Sequence, residues 1–511
     1  MTGRARVLFI GLDGVEKDLL RLWADAGVLP TFRRLLDTSA WGLSAAPLGI
    51  HTTAVWESFS TGVSPARHAR HGERQIRPGT YDTYRFLPTD LQAEAFWNVL
   101  SRAGRRSAVI DIPYVPLAHD FNGVHVLDWM AHAANTGFCT WPPTLAAELR
   151  RRFGLEPVGL CDHRRLQSAA DFRALRDALI TRVATKTALS RHLLERERWD
   201  LFLTVLTEGH CMGHQSWHIH DPHHPRHDAE LARALGDPLR DVYRALDAAV
   251  NEHLTLAGPD ATVIVLASHG MGPYYNGAHL MDAILYRLGH SPTLPELPRT
   301  WAALRRGWRQ LPLPARVRLV RAQKWLVDRL WPPLDRRAAC FNMPNGEVWS
   351  GLRVNLAGRE PHGRVQPGAE YEAFCDMLSR DLCALVNVDT DQPAVLSVRR
   401  TAELYDGTHL IDLPDLLVEW NCTAPLTTVY SAKTGSVTVP FVHQRSGHHT
   451  SEGMFFAVGP GIRPGQTSQT VSVMDFAPTI ATLLDVPLPN VDGTPIAALT
   501  ESMPGARQRT A

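Results

Sequence analysis

The feature that most restricts this chain is a recurring phrase. A short apolar run, too brief for a helix, stops abruptly at a polar or glycine-containing corner. The first, Val7 to Leu12, ends at Asp13-Gly14 and is followed by helix-like stretches from Asp18 to Ala26 and from Pro30 to Leu36. Ser107 to Ile112 runs into Pro113, Leu201 to Leu206 into Thr207-Glu208-Gly209-His210, and Thr262 to Ala267 into Ser268-His269-Gly270. Leu416 to Trp420 and Met454 to Val458 repeat the phrase, the latter stopping at Gly459-Pro460-Gly461. Runs with no polar face belong to strands covered on both sides, so the sequence predicts an α/β fold with a predominantly parallel sheet between helical layers. Such sheets bind ligands beyond the carboxyl ends of their strands, which is where the Asp and His residues gather.

The chain's 511 residues suffice for one large α/β domain with insertions, or for two to three average domains, and exclude a small stapled fold. Lysine plus arginine (53) nearly balance aspartate plus glutamate (52), so no global charge points to nucleic acid. The seven cysteines are odd in number and never spaced as CxxC, which reads as reduced thiols in a cytoplasmic protein. The first apolar run, of about five residues, is too short for a signal-peptide core, and no run of about 18 apolar residues follows, so no membrane span is expected.

Between about 286 and 340 the texture turns rich in Arg, Trp and Pro. Residues 286–345 read as an inserted helical cap, with Val317, Val320, Trp325, Leu326 and Leu330 on one helix face. It divides a first part of the core, 1–285, from a second, 346–511.

Several residues have the chemistry of a site. Asp13 directly follows a buried strand, where a carboxylate is costly unless it is paired, holds a metal or caps the next helix. Thr52 precedes a helical start that ends at a Thr61-Gly62 turn, and taken alone reads as an N-cap. In TEGHCMGHQSWHIHDPHHPRH, seven of the chain's 24 histidines fall between positions 210 and 227. His210 and His214, four apart, share one face of a helical turn, a spacing that suits zinc or a similar divalent ion. His220, His223, His224 and His227 read as exposed loop residues. Glu208 reads as a ligand, as a partner orienting an imidazole, or as a strand-end charge. His269 ends a strand and His449 just precedes one; each alone reads as a core histidine, and with Asp13 they form three converging strand ends.

In order, FIGLDGV (9–15), the threonine segment ending in Thr61-Gly62 and followed by Pro65 and His68, TEGHCMGH (207–214) and SHGMG (268–272) form a recognisable series. GREPHGRVQPGAEYE (358–372), PDLLVEW (414–420), GHHTSEGMFFAVGPGI (447–462) and DFAPTIATLLDVPLPNVDG (475–493) complete it. The chain resembles the type I phosphodiesterase and nucleotide pyrophosphatase family of the alkaline phosphatase superfamily, over nearly all of its length except the region from about 286 to 340. The resemblance implies a three-layer α/β/α sandwich of the alkaline phosphatase type and a two-metal phosphoryl-transfer site. Thr52, ten residues before Gly62, matches the nucleophile. One zinc would be held by His210, His214 and His449, the other by Asp13, the Thr52 oxygen, Ser268 and His269. The implied function is hydrolysis of a small-molecule phosphate ester or nucleotide with one or two zinc ions per chain, manganese being the alternative.

Members of the family usually carry Asp at the positions of His210 and Ser268, so the implied ligand set keeps a single carboxylate, Asp13. Three readings accommodate this departure. Glu208 replaces a lost carboxylate; a single metal suffices; or the chain has left hydrolysis for another reaction or for binding alone. Phosphotransfer and phosphonate or sulfate ester hydrolysis on the same scaffold are the rival activities.

Overall fold

The computed structural model describes residues 5–50, 54–130, 132, 137–154, 166–292, 307–308, 310–344, 348–440 and 444–501. At its centre lies the strand Ala5–Leu12, hydrogen-bonded in parallel to Trp199–Leu206 on one side and Thr262–Ala267 on the other. Ser107–Ile110 and Gly123–Leu127 extend the parallel set beyond Trp199–Leu206. Cys139–Trp141 closes that edge antiparallel. On the other side Glu452–Val458 and Ala40–Ala45 are added antiparallel to their neighbours, with the short strands Gly465–Gln466 and Val471–Ser472 at the far edge, making ten strands.

Strand geometry explains the layers. Leu8, Ile10 and Leu12 point to one face, where they pack with Phe202 and Val263 against residues such as Leu179, Val183, Leu246 and Val250 of the helices Ala169–Arg196 and Pro238–Ala257. Val7 and Phe9 point to the other, where they meet Trp56, Phe59, Phe96, Trp97, Phe476 and Ile480. With both faces covered, every residue of the strand from Val7 to Leu12 is apolar or glycine and buried, as the three-layer reading requires.

The run Leu416–Trp420, read from sequence as another strand of the parallel sheet, lies elsewhere. It belongs to a separate four-stranded antiparallel sheet with Cys340–Pro344, Trp349–Val354 and Val395–Arg400. A second core, including Leu352, Leu378, Leu416, Val418 and Trp420, is shared by this sheet and the helix Ala369–Cys383. The run is apolar but for Glu419, which accepts from Ser397 Oγ, because this small sheet is itself largely buried, and burial does not say in which sheet. The helix of the Arg/Trp-rich region spans Leu313–Leu330, with Trp325, Leu326 and Leu330 exposed; the side chains of Val317 and Val320 lie outside the described residues. Its Asp328 pairs with Arg74 and Arg85 of the hairpin formed by Arg74–Ile76 and Thr83–Arg85. Among the described residues no disulfide is formed and no helix is long and apolar enough to cross a membrane.

Candidate metal centre

Three parallel strands end side by side, and their corners are clasped by backbone hydrogen bonds. The Asp13 N–H donates to Leu206 O (2.9 Å), the Ser268 N–H to Leu12 O (3.2 Å) and the His210 N–H to Asp13 O (3.0 Å). Gly14 has a φ of +63°, and a Cβ there would stand 2.9 Å from the His210 Cα. The glycine therefore serves both the left-handed turn and the close approach of the helix that carries the histidines.

That helix, Glu208–His220, places His210 and His214 on one face with ring centroids 4.4 Å apart. His449 arrives from a distant segment. The short strand Gly447–Thr450 pairs antiparallel with Gly270–Pro273, setting His449 opposite Met271. Its ring lies 4.8 Å from His210, 4.5 Å from His214 and 4.7 Å from His269. Close packing allows this: Gly447 sits so near the helix that a Cβ would fall 2.2 Å from the Gly213 carbonyl oxygen. Glu16 ties the same strand pair down, accepting from the Met271 N–H at 2.9 Å and from the Thr450 hydroxyl at 3.4 Å.

One ligand atom from each of His210, His214 and His449 lies within 4.8 Å of the others, and all three side chains are buried. The donor chemistry fits a zinc-like ion, which accepts three imidazoles readily. His214 donates from Nδ1 to the Gly447 carbonyl at 2.8 Å, which fixes its tautomer and makes Nε2 the nitrogen that could accept a cation. His210 Nδ1 and His269 Nε2 are buried and make no hydrogen bond to the described residues. Burial pushes the His449 imidazole well below its ordinary range, reinforced by His214, His269, His210 and His448. His210 is lowered mainly by burial, and His269 is lowered to about 4 by burial against the opposing pull of Asp13. These rings stay neutral at pH 7, the form that offers a lone pair to a cation.

The second corner is sparser. Trp56 Nε1 donates to Asp13 Oδ1 at 2.9 Å, His269 Nδ1 stands 3.8 Å from the same oxygen, and Ser268 Oγ meets His269 Nδ1 at 3.0 Å. Asp13, Ser268 and His269 are thus brought together next to the three-histidine group, the His210 and His269 rings being 6.4 Å apart. Thr52 lies outside the described residues; the helix that follows it, Ala54–Thr61, carries the Trp56 that reaches Asp13.

Glu208 faces the other way. Its Oε1 accepts from Arg182 Nε at 2.6 Å and lies 3.6 Å from Lys186 Nζ, all three side chains being buried. Arg182 Nη2 in turn donates to Thr207 Oγ1 and to Cys211 Sγ, each at 3.2 Å. Glu208 therefore reaches the histidine group through Arg182 and the helix backbone.

The later histidines of the cluster have structural partners. His220 pairs with Asp237 at 2.8 Å, His227 donates from Nδ1 to the His218 carbonyl at 2.9 Å, and His224 stacks on Tyr275. Of the four read as exposed loop residues, only His223 is exposed: His220 ends the helix and is half-buried, His227 is half-buried, and His224 is buried with its Nδ1 accepting the Arg226 N–H.

The sequence reading did not find Trp56 as the partner of Asp13, nor the Arg182–Lys186 pair. The second had a signal. Both cations continue the apolar stripe of Leu175 and Leu179, and cations on a buried face require buried anions.

The chain is similar over nearly its whole length to phosphonoacetate hydrolase from Sinorhizobium meliloti 1021 in complex with phosphonoformate (15% identity, 94% of this chain and 96% of that one, TM-score 0.49). It is also similar to murine ectonucleotide pyrophosphatase/phosphodiesterase 5 (12% identity, 96% and 97%, TM-score 0.46) and to the human protein of that name (11% identity, 96% and 97%, TM-score 0.48). No curated protein sequence matches the chain. The family model for type I phosphodiesterase/nucleotide pyrophosphatase matches residues 7–418, which include Asp13, His210, His214, Ser268 and His269. The chain belongs to the type I phosphodiesterase/nucleotide pyrophosphatase family and is a hydrolase of that class.

Proposed function

We propose that this hydrolase is metal-dependent and cleaves a small-molecule phosphate ester or nucleotide through Thr52. The observation that carries the reading is the convergence of His210, His214 and His449 beside the corner formed by Asp13, Ser268 and His269. Zinc, or manganese in its place, would be held by the three imidazoles, and by Asp13, Thr52, Ser268 and His269 if a second ion is bound. When bound, such an ion makes a hydroxyl acidic enough to attack and takes up charge on the phosphoryl oxygens.

The remaining chemistry falls to the chain itself. The Thr52 oxygen forms a bond to phosphorus as the bond from phosphorus to the leaving oxygen breaks, its proton passing to water. Water then hydrolyses the phosphothreonine, releasing the phosphate product and restoring the hydroxyl. Asp13, held by the Trp56 indole N–H, supplies the carboxylate at this corner, and His269 is oriented between it and Ser268. The odd number and scattered spacing of the seven cysteines, read as reduced thiols, support the cytoplasm as its compartment.

A single-ion version of this mechanism is favoured by one observation: Glu208, the nearest spare carboxylate in sequence, is held by Arg182 and Lys186. The test is metal content together with turnover of an aryl phosphodiester. The wild type should bind one or two ions per chain and turn over. Thr52→Ala should keep the metal and lose turnover, whereas His214→Ala should lose the ion held by the three imidazoles. A metal-free wild type that ignores aryl phosphates would instead favour a silent, ligand-binding relative. Activity restricted to phosphonates, to sulfate esters or to an alcohol acceptor would move the substrate class.

A further inference from the structure

Beside the three-histidine group, and sharing His210 with it, stands a second group of ligand-type atoms. One donor atom from each of His132, His210 and Cys211 lies within 4.8 Å of the others. The His132 and His210 rings are 4.1 Å apart, and His132 Nδ1 is 3.3 Å from Cys211 Sγ. His210 and Cys211 are buried while His132 is half-buried, so the group opens toward solvent on one side. We propose that these three side chains form a second metal position, selective for a soft or borderline divalent cation such as zinc, with Cys211 bound as the thiolate.

Three observations argue for it. The donor set, two imidazoles and a sulfur, is one that zinc takes readily, leaving a fourth place for water or for an oxygen of the substrate. The sulfur is held in place from behind: Arg182 Nη2 donates to Cys211 Sγ at 3.2 Å while its Nε is anchored to Glu208 at 2.6 Å. A guanidinium fixed behind a sulfur is the kind of outer partner that orients a ligand and tunes its charge. Finally, the position answers the charge deficit of the site. The three-histidine group contains no carboxylate, and the Asp13 corner contributes one; a Cys211 thiolate restores a negative charge one residue from His210. The thiol thereby gives Glu208 an indirect role, through Arg182, in place of ligation.

His210 belongs to both groups, and a neutral imidazole offers one lone pair, so it serves one ion at a time and occupancy of the two positions is mutually exclusive. This inference rests on the metal-dependent reading above only through that shared ligand, and its test separates the two. Metal-free protein is titrated with Co²⁺, watching for the thiolate-to-cobalt charge-transfer absorption in the near ultraviolet. In parallel, alkylation of Cys211 is followed by peptide mass mapping with and without Zn²⁺. The expected result is a thiolate band in the wild type, retained in His214→Ala but lost in Cys211→Ser and His132→Ala, and at least a tenfold slowing of Cys211 alkylation by Zn²⁺. Cobalt binding without a thiolate band, with zinc-independent alkylation, would overturn this position and leave the three-histidine centre standing. Failure of any metal to bind would overturn both. The alkylation arm uses the wild type, so it stays decisive even if a variant does not fold.

Discussion

Replacing Gly447 with alanine tests how the three-histidine group is assembled without touching any of its ligands. The new Cβ would lie 2.2 Å from the Gly213 carbonyl oxygen, whereas real Cβ atoms essentially never come closer than 3.0 Å. Both sides of the contact are backbone, so no flexible side chain can yield. The strand Gly447–Thr450 must withdraw from the helix by about 0.8 Å, and a misplacement of about 1 Å at a reacting site costs on the order of 10²-fold in rate. Withdrawal also lengthens the 2.8 Å hydrogen bond from His214 Nδ1 to the Gly447 carbonyl. Loss of such an orienting contact typically weakens metal affinity by about 10- to 100-fold. The overpacking itself should lower stability by about 1–3 kcal/mol. The assay is a competitive zinc titration against a chromophoric chelator, paired with turnover of an aryl phosphodiester and a urea unfolding curve. The account predicts a folded variant with zinc affinity down at least tenfold and turnover down about 10²-fold. Wild-type zinc affinity in a folded Gly447→Ala protein would refute the claim that this close approach sets the His449 and His214 geometry.

Three further changes probe other parts of the site. Glu208→Gln removes the carboxylate that Arg182 Nε grips at 2.6 Å in the buried interior, while Lys186 keeps Asp111 at 3.6 Å, so urea unfolding should show a loss of about 3–5 kcal/mol; lost metal at unchanged stability would show a ligand instead. Ser268→Asp adds a carboxylate to the Asp13 corner and should raise metal stoichiometry or affinity by equilibrium dialysis; no change would mean that the serine is not a ligand position. His68 is held neutral, its imidazole lowered to about 3 by burial first and then by the Arg70 charge, with Nδ1 accepting the Arg70 N–H at 3.1 Å and Nε2 meeting Ser58 Oγ at 2.9 Å. The unfolded chain binds that proton near pH 6.5, so the stability this residue contributes is complete above pH 6.5 and is lost as pH falls toward 3. His68→Gln should therefore flatten the acid limb of an unfolding-midpoint profile by up to about 1.4 kcal/mol per pH unit; an unchanged slope would contradict it.

The parallel sheet was legible because strands buried on both faces have no polar alternation, and Val7 to Leu12 fits nothing else. Asp13, Ser268, His269 and His210 were legible for the same reason: each stands where an apolar run breaks, and the broken ends of neighbouring parallel strands must meet. His449 is held by a two-stranded ladder too short to leave a pattern, so its route to the site through Met271 was not readable. Leu416–Trp420 misled because a second buried sheet writes a nearly apolar run much like the first, broken only by Glu419. Cys211 went unweighed because a cysteine on a helix reads as a small apolar residue, and its partner His132 is 79 residues away. What sequence withheld was long-range pairing, which sets distances but leaves no local periodicity.

In the proposed reaction Thr52 accepts the phosphoryl group beside the three-histidine centre. This step is tested most directly by quenching the metal-loaded enzyme in acid during turnover of an aryl phosphate ester and mapping its peptides by mass. The account predicts a phosphoryl adduct on Thr52, absent from Thr52→Ala and from the metal-stripped protein. An adduct on any other residue, or undiminished turnover in Thr52→Ala, would contradict it.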